Sequence, residues 1–270
     1  MKYLEFDLKK SEHYQPKLYA YVLDTSPEIP LKEKRPAVII CPGGGYHAKS
    51  DREAEPVALQ YLAQNINAFV LQYSASPDPF PTAALELAEA VALVRAHAEE
   101  WFIDPEKIVI LGFSAGGHLA GSLGTLWNRP VFHEAFGDSQ DWKPNGMILC
   151  YPVITMGEFT HEGSRTNLLG ENSSEEAREA LSLEKQVSAD TVPAFLWHTQ
   201  EDDTVPVENS LFYAAALRKH GIPFELHIYE RGGHGLSLCR EMTSNLEEQN
   251  VPDNTGWMEL SVKWIQRLGK

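Results

Sequence analysis

The chain has 270 residues, 43% of them apolar and 23% charged. Those proportions belong to an ordinary globular domain and exclude a disordered chain, a collagen and a coiled coil. Acidic side chains outnumber basic ones 38 to 23, a net charge of −15, and a surface of that sign repels phosphate backbones and anionic lipid heads, so neither nucleic acid nor a membrane is an expected partner.

In chain order, residues 3–8 and 17–23 alternate apolar and polar side chains, the pattern of a half-exposed antiparallel pair. The first thirteen residues hold no apolar run of signal-peptide length, and no stretch approaches the ~18 apolar residues of a spanning helix. Residues 37–41 are apolar on both faces, which predicts an inner strand of a parallel sheet covered by helices. A helix is expected over 52–64, a second buried strand at 68–71, and a helix over 83–98, where Leu87, Val91 and Val94 recur at helical spacing. Buried strands follow at 108–111, 147–150 and 194–197. Pro206 then stands as a first-turn proline, and Gly221 follows Lys219 and His220 as a helix stop. After a strand at 224–229, Trp257, Leu260, Trp264 and Leu268 share one face of a C-terminal helix.

This alternation predicts a three-layer α/β sandwich with a mostly parallel sheet and an antiparallel N-terminal edge, in a single domain over 1–270. Only 128–191 breaks the rhythm. It holds one clear strand amid Gly, Asn, Ser, Glu and Trp, and reads equally as loop padding or as a small lid over the sheet's C-terminal edge. Three cysteines, Cys41, Cys150 and Cys239, are an odd number without short spacing. They argue against a disulfide framework and a zinc knuckle, and the expectation is a reduced, cytoplasmic protein.

Four segments carry chemistry. In the first, the strand at 108–111 runs straight into Gly112-Phe113-Ser114-Ala115-Gly116, and a helix of small residues follows. A serine hydroxyl becomes a nucleophile only when it is exposed, aligned and beside a base, and a strained strand–helix turn between glycines provides the exposure. The second is Pro42-Gly43-Gly44-Gly45-Tyr46, at the end of the first buried strand. Without a following Gly-Lys-Ser/Thr it is no P-loop, and it fails the dinucleotide pattern at the last glycine. Its amides suit an oxyanion hole, completed by the residue after the nucleophile. The third is His234, in a glycine loop past the strand at 224–229, late enough in the chain to be the base of a Ser–acid–His order. His13, His97, His133, His161 and His220 lie in polar surroundings, His227 is inside a strand, and His118 in the helix after Ser114 reads as a packing or locally bonded group. The fourth is the acid, for which Glu201, Asp202 and Asp203 compete on the loop after the strand at 194–197.

Together, in this order, these segments resemble the α/β-hydrolase superfamily, and within it the small esterase/lipase group that includes bacterial acetyl-xylan esterases and so-called sugar hydrolases. The resemblance covers roughly residues 37–270. It places the acid three residues before Val205-Pro206, which selects Asp202, and it assigns oxyanion amides to Gly44, Gly45 and Ala115. Pro42 departs from the histidine that many lipases of the group carry there. The implied activity is a serine carboxylesterase on short acyl esters, with a small-molecule ester as partner, acetylated sugars or oligosaccharides among the candidates, and no metal or organic cofactor. A peptidase of the related prolyl oligopeptidase type usually carries a large gating domain, for which 270 residues leave no room. A silent binding protein would not need all three triad residue types.

Overall fold

Strands that are apolar on both faces must be covered on both faces, and the structure is built around that requirement. The computed structural model describes residues 1–29 and 33–269. Eight strands, β1 (Lys2–Asp7), β2 (Lys17–Val22), β3 (Arg35–Cys41), β4 (Asn67–Gln72), β5 (Ile103–Phe113), β6 (Gly146–Cys150), β7 (Ala194–Thr199) and β8 (Phe224–Tyr229), form one sheet in the order β1-β2-β4-β3-β5-β6-β7-β8. The β1–β2 and β2–β4 pairs are antiparallel and the remaining pairs parallel. The inner strands β6 and β7 are buried throughout, whereas the edge strands β1 and β8 are largely half-buried or exposed.

Helices α1 (Glu55–Leu62) and α8 (Gly256–Arg267) close one face of the sheet. Their core joins Val57 and Tyr61 to Trp197, Trp257 and Trp264, and Trp197 stacks on Trp257 with ring centroids 5.2 Å apart. Helices α2 (Thr82–Ala96), α3 (Ser114–Leu126) and α7 (Glu208–His220) close the other, around Leu87, Val91, Leu123 and Leu217. Every residue of α3 is buried, and its Gly, Ala and Ser side chains let it lie close against the sheet. Leu260 packs against the core of Trp257 and Trp264 as the helical face predicts, and so does Leu268, which lies just past the end of α8.

The structure corrects several boundaries. The helix expected over 52–64 is a single 3-10 turn at Asp51–Glu53 followed by α1, whose first turn holds Pro56, a residue suited to a helix start. Helix α7 begins at Glu208, two residues past the proline read as its first turn. The expected strand at 108–111 is the second half of β5. Between 128 and 191 lie α4 (Pro130–Phe136), α5 (Glu162–Leu169) and α6 (Glu175–Leu181) besides β6. Helices of seven or eight residues complete only two turns, too few for a periodic signal. All three cysteines are free and buried. Among the described residues, no helix is long and apolar enough to cross a membrane.

Candidate active site

Strands β5, β7 and β8 run parallel, so their C-terminal ends share one rim of the sheet. Each end delivers one predicted residue. Ser114 opens α3 directly after β5, with φ at +53°, a sparsely populated conformation for a residue with a side chain. The turn closes so tightly that a Cβ on Gly112 would sit 1.9 Å from the Gly116 carbonyl oxygen, and one on Gly116 would sit 2.2 Å from that of Cys41. Both flanking glycines are therefore dictated by backbone contact.

Asp202 lies on the loop after β7 and His234 on the loop after β8. His234 Nδ1 is 2.6 Å from Asp202 Oδ2, and its Nε2 is 2.8 Å from Ser114 Oγ. With the ionised carboxylate as acceptor, Nδ1–H donates to Asp202 and the Nε2 lone pair accepts the serine hydroxyl. Asp202 Oδ1 is occupied by the Thr204 and Val205 amides, at 3.1 and 2.9 Å. Burial by itself would raise the Asp202 carboxyl, but hydrogen bonds from His198 and His234 and from the Val205 amide hold it well below the usual carboxylate range. The sequence offered three acids, and the structure separates them. Asp203 is exposed, and Glu201 Oε2 accepts the Gly232 amide at 2.9 Å, pinning the start of the histidine loop.

The loop after β3 turns back on itself, with the His47 and Ala48 amides donating to the Gly44 carbonyl. Gly44, at φ +137°, could not carry a side chain, since its Cβ would meet the Ala48 carbonyl at 2.2 Å. Among the described residues no acceptor takes the Gly44 or Gly45 amide, and Ala115 lies in the first turn of α3, where amides have no intrahelical partner. His118 supports this loop from beneath. Its Nδ1 is 2.9 Å from the Tyr46 hydroxyl and its Nε2 2.9 Å from the Leu181 carbonyl. Burial pushes this imidazole down to about 4, so it bridges the two as a neutral ring.

Sequence reasoning missed three residues here. Glu53, 3% exposed, accepts the Gly43 amide at 2.8 Å through Oε2 and the Tyr151 hydroxyl at 2.6 Å through Oε1. The Tyr151 ring meets the His234 ring edge-on at 5.2 Å. His161, read as an ordinary polar-segment histidine, caps α5 by accepting the Ser164 amide on Nδ1, and its Cε1 is 3.8 Å from where a Gly45 Cβ would lie. Burial, and next the neighbouring His234, lower its pKa. No local motif marks any of the three, because each is brought in by a different part of the chain.

Residues 25–217 match the model of the BD-FAE family. Endo-1,4-beta-xylanase B of Butyrivibrio fibrisolvens is 39% identical over 246 residues, 88% of this chain and 37% of that protein. The acetylxylan esterase of Xylanibacter ruminicola is 31% identical over 216 residues, 78% of this chain and 43% of that protein. The chain thus spans less than half the length of these two curated relatives. Among solved structures, an acetyl ester-xyloside bifunctional hydrolase from Caldicellulosiruptor lactoaceticus is 41% identical, with a TM-score of 0.81 over 96% of this chain and 90% of that one.

Proposed function

The chain belongs to the BD-FAE family, within the α/β hydrolases, and on that premise we propose that it is a serine carboxylesterase acting on short acyl esters. One observation carries the reading: the unbroken hydrogen-bonded path from Ser114 Oγ through His234 to Asp202. Ser114 Oγ attacks the ester carbonyl carbon as His234 Nε2 takes its proton, and the carbonyl electron pair moves onto oxygen. The Asp202 carboxylate holds the imidazole tautomer and stabilises the imidazolium. The Gly44, Gly45 and Ala115 amides stabilise the oxyanion; in known holes one such donor is worth roughly 2.7–4 kcal/mol. Collapse breaks the bond to the alcohol oxygen, which leaves with the His234 proton, and water hydrolyses the acyl-enzyme by the same steps. The scheme uses no metal or organic cofactor.

The substrate reading is an acetyl group on a sugar or oligosaccharide. It is supported by the acetylxylan esterase and the acetyl ester-xyloside hydrolase among the similar proteins. Three buried free thiols suit a reducing compartment such as the cytoplasm. The test is Ser114→Ala assayed on nitrophenyl esters from acetate upward and on acetylated xylose. The substitution removes one small oxygen, bonded to His234, and leaves the Cβ in place, so the fold stays while turnover is abolished. Near-normal turnover in this variant overturns the mechanism, and a preference for long acyl chains overturns the substrate.

A further inference from the structure

We propose that Glu53 is a positioning residue for the reaction, a strut that sets the oxyanion loop and the histidine loop relative to each other. The proposal rests on the serine esterase reading above. Glu53 is a buried carboxylate with no counter-cation within ion-pair distance among the described residues. A carboxylate is costly to bury, and its cost here is offset by the donors aimed at its two oxygens. One donor lies on the oxyanion loop, and the other is itself bonded to the histidine loop. Oε2 takes the Gly43 amide, immediately before Gly44 and Gly45. A Cβ at Gly43 would lie 2.7 Å from that oxygen and 3.1 Å from Ser114 Cβ, so Gly43 is wedged between the carboxylate and the nucleophile's residue.

Oε1 takes the Tyr151 hydroxyl, which itself accepts the Ser237 amide at 2.8 Å. Ser237 lies three residues after His234, and the same stretch is held by the neighbour of Glu53. Ser237 Oγ donates to the Arg52 carbonyl at 2.6 Å, and Arg52 Nη1 donates to the Gly235 and Thr243 carbonyls at 2.9 and 2.8 Å. The 3-10 turn at Asp51–Glu53 therefore ties together two loops nearly two hundred residues apart in sequence. Catalysis by preorganised dipoles needs the oxyanion amides and the base fixed against the same serine before charge develops.

Glu53→Gln keeps the volume but reverses one hydrogen bond. If its NH2 faces Gly43, two donors oppose each other. If it faces Tyr151, the phenol hydrogen loses its acceptor. Tyr151→Phe cuts the strut at its other joint. Both variants are titrated with a phosphonate that labels Ser114, so that kcat is counted per functional site and any misfolded fraction drops out. The companion measurement is the affinity for a trifluoromethyl ketone, whose carbonyl takes Ser114 Oγ and becomes an oxyanion while the serine proton passes to His234. The expected result is a fall in kcat per site of 10- to 100-fold in each variant, KM within about threefold, and ketone affinity falling in step with kcat/KM. The double variant should be little worse than the worse single one, because both break one chain of contacts. Values of kcat per site within twofold of the parent in both variants overturn the strut and leave the triad standing. A parent protein that neither takes the label nor hydrolyses esters overturns the triad, and the strut with it.

Discussion

Replacing Asp202 by Asn tests the site through a single atom exchange whose outcome the surrounding hydrogen bonds dictate. Oδ1 of the carboxylate is held by two backbone amides, from Thr204 and Val205. An asparagine placing its NH2 toward these would bury two opposed donors, at roughly 1–3 kcal/mol each. The amide oxygen therefore stays on that side, and the NH2 takes the place of Oδ2, 2.6 Å from His234 Nδ1 and 3.3 Å from His198 Nε2, which keeps the Val205 carbonyl as its acceptor. A donor there forces Nδ1 to accept, so the imidazole proton moves to Nε2. Nε2–H now faces Ser114 Oγ and cannot receive its proton. In a triad, this acid-to-amide exchange costs about 10⁴ in kcat, or about 5.5 kcal/mol of transition-state stabilisation. Asp203→Asn alters an exposed carboxylate beside the same loop and should leave kcat within about twofold. Steady-state kinetics on a nitrophenyl acetate, with circular dichroism to confirm folding, checks both. Asp202→Asn retaining more than a tenth of the parent kcat refutes the reasoning, and so does Asp203→Asn as the crippled variant.

Two further outcomes concern groups outside the triad. Glu86, buried under the Ser74 amide and hydroxyl, is pushed up to about 7 by burial, against 4.5 unperturbed. A carboxyl raised on folding contributes stability when protonated. That stability is full below pH 4.5 and lost as pH rises through 7, by roughly 3 kcal/mol; Glu86→Gln should flatten the slope, and urea midpoints at pH 5 and 8 that keep the parent difference refute it. His161 accepts the Ser164 amide on Nδ1, so Nε2 carries the proton; the ring's Cε1 faces Gly45, and among the described residues nothing accepts from Nε2–H. His161→Asn keeps the helix cap and removes that donor, so KM for acetylated xylose should rise about fivefold with an unchanged melting temperature, and an unchanged KM excludes contact with the substrate.

The sheet was legible because burial on both faces leaves a mark in the sequence: 37–41, 147–150 and 194–197 each fall within an inner strand. Ser114 and His234 stood out because each lies between glycines just past a strand; around Ser114 the tight backbone turn leaves no room for other side chains. Asp202 did not stand out by itself, since Glu201 and Asp203 share its loop; only the family spacing to Val205-Pro206 singled it out, and the local sequence says nothing of the hydrogen bonds that divide their work. Glu53, Tyr151 and His161 were invisible for another reason. Each acts through a partner 98 to 116 residues away or across a loop whose path no local pattern encodes: Glu53 meets Tyr151, and His161 meets Gly45. The short helices α5 and α6 escaped because two turns carry too little periodicity to rise above a polar background.

The placement of His234 has a consequence for how this molecule fails. Its loop leaves β8, the rim strand, which pairs with β7 alone and is nowhere fully buried. Rim strands belong to the low-energy end of native-state opening, below the free energy that unfolds the middle of a sheet. The loop that follows it is held by side chains from elsewhere, among them Arg52 on Gly235, Asn254 on the Arg231 carbonyl and Glu201 on the Gly232 amide. In mild denaturant those contacts should release first, with hydrolysis ceasing while the buried tryptophans and the parallel strands remain in place. Inactivation midpoints and spectroscopic midpoints therefore measure different events. The gap between them measures how far opening of the histidine loop lies below unfolding of the whole sheet.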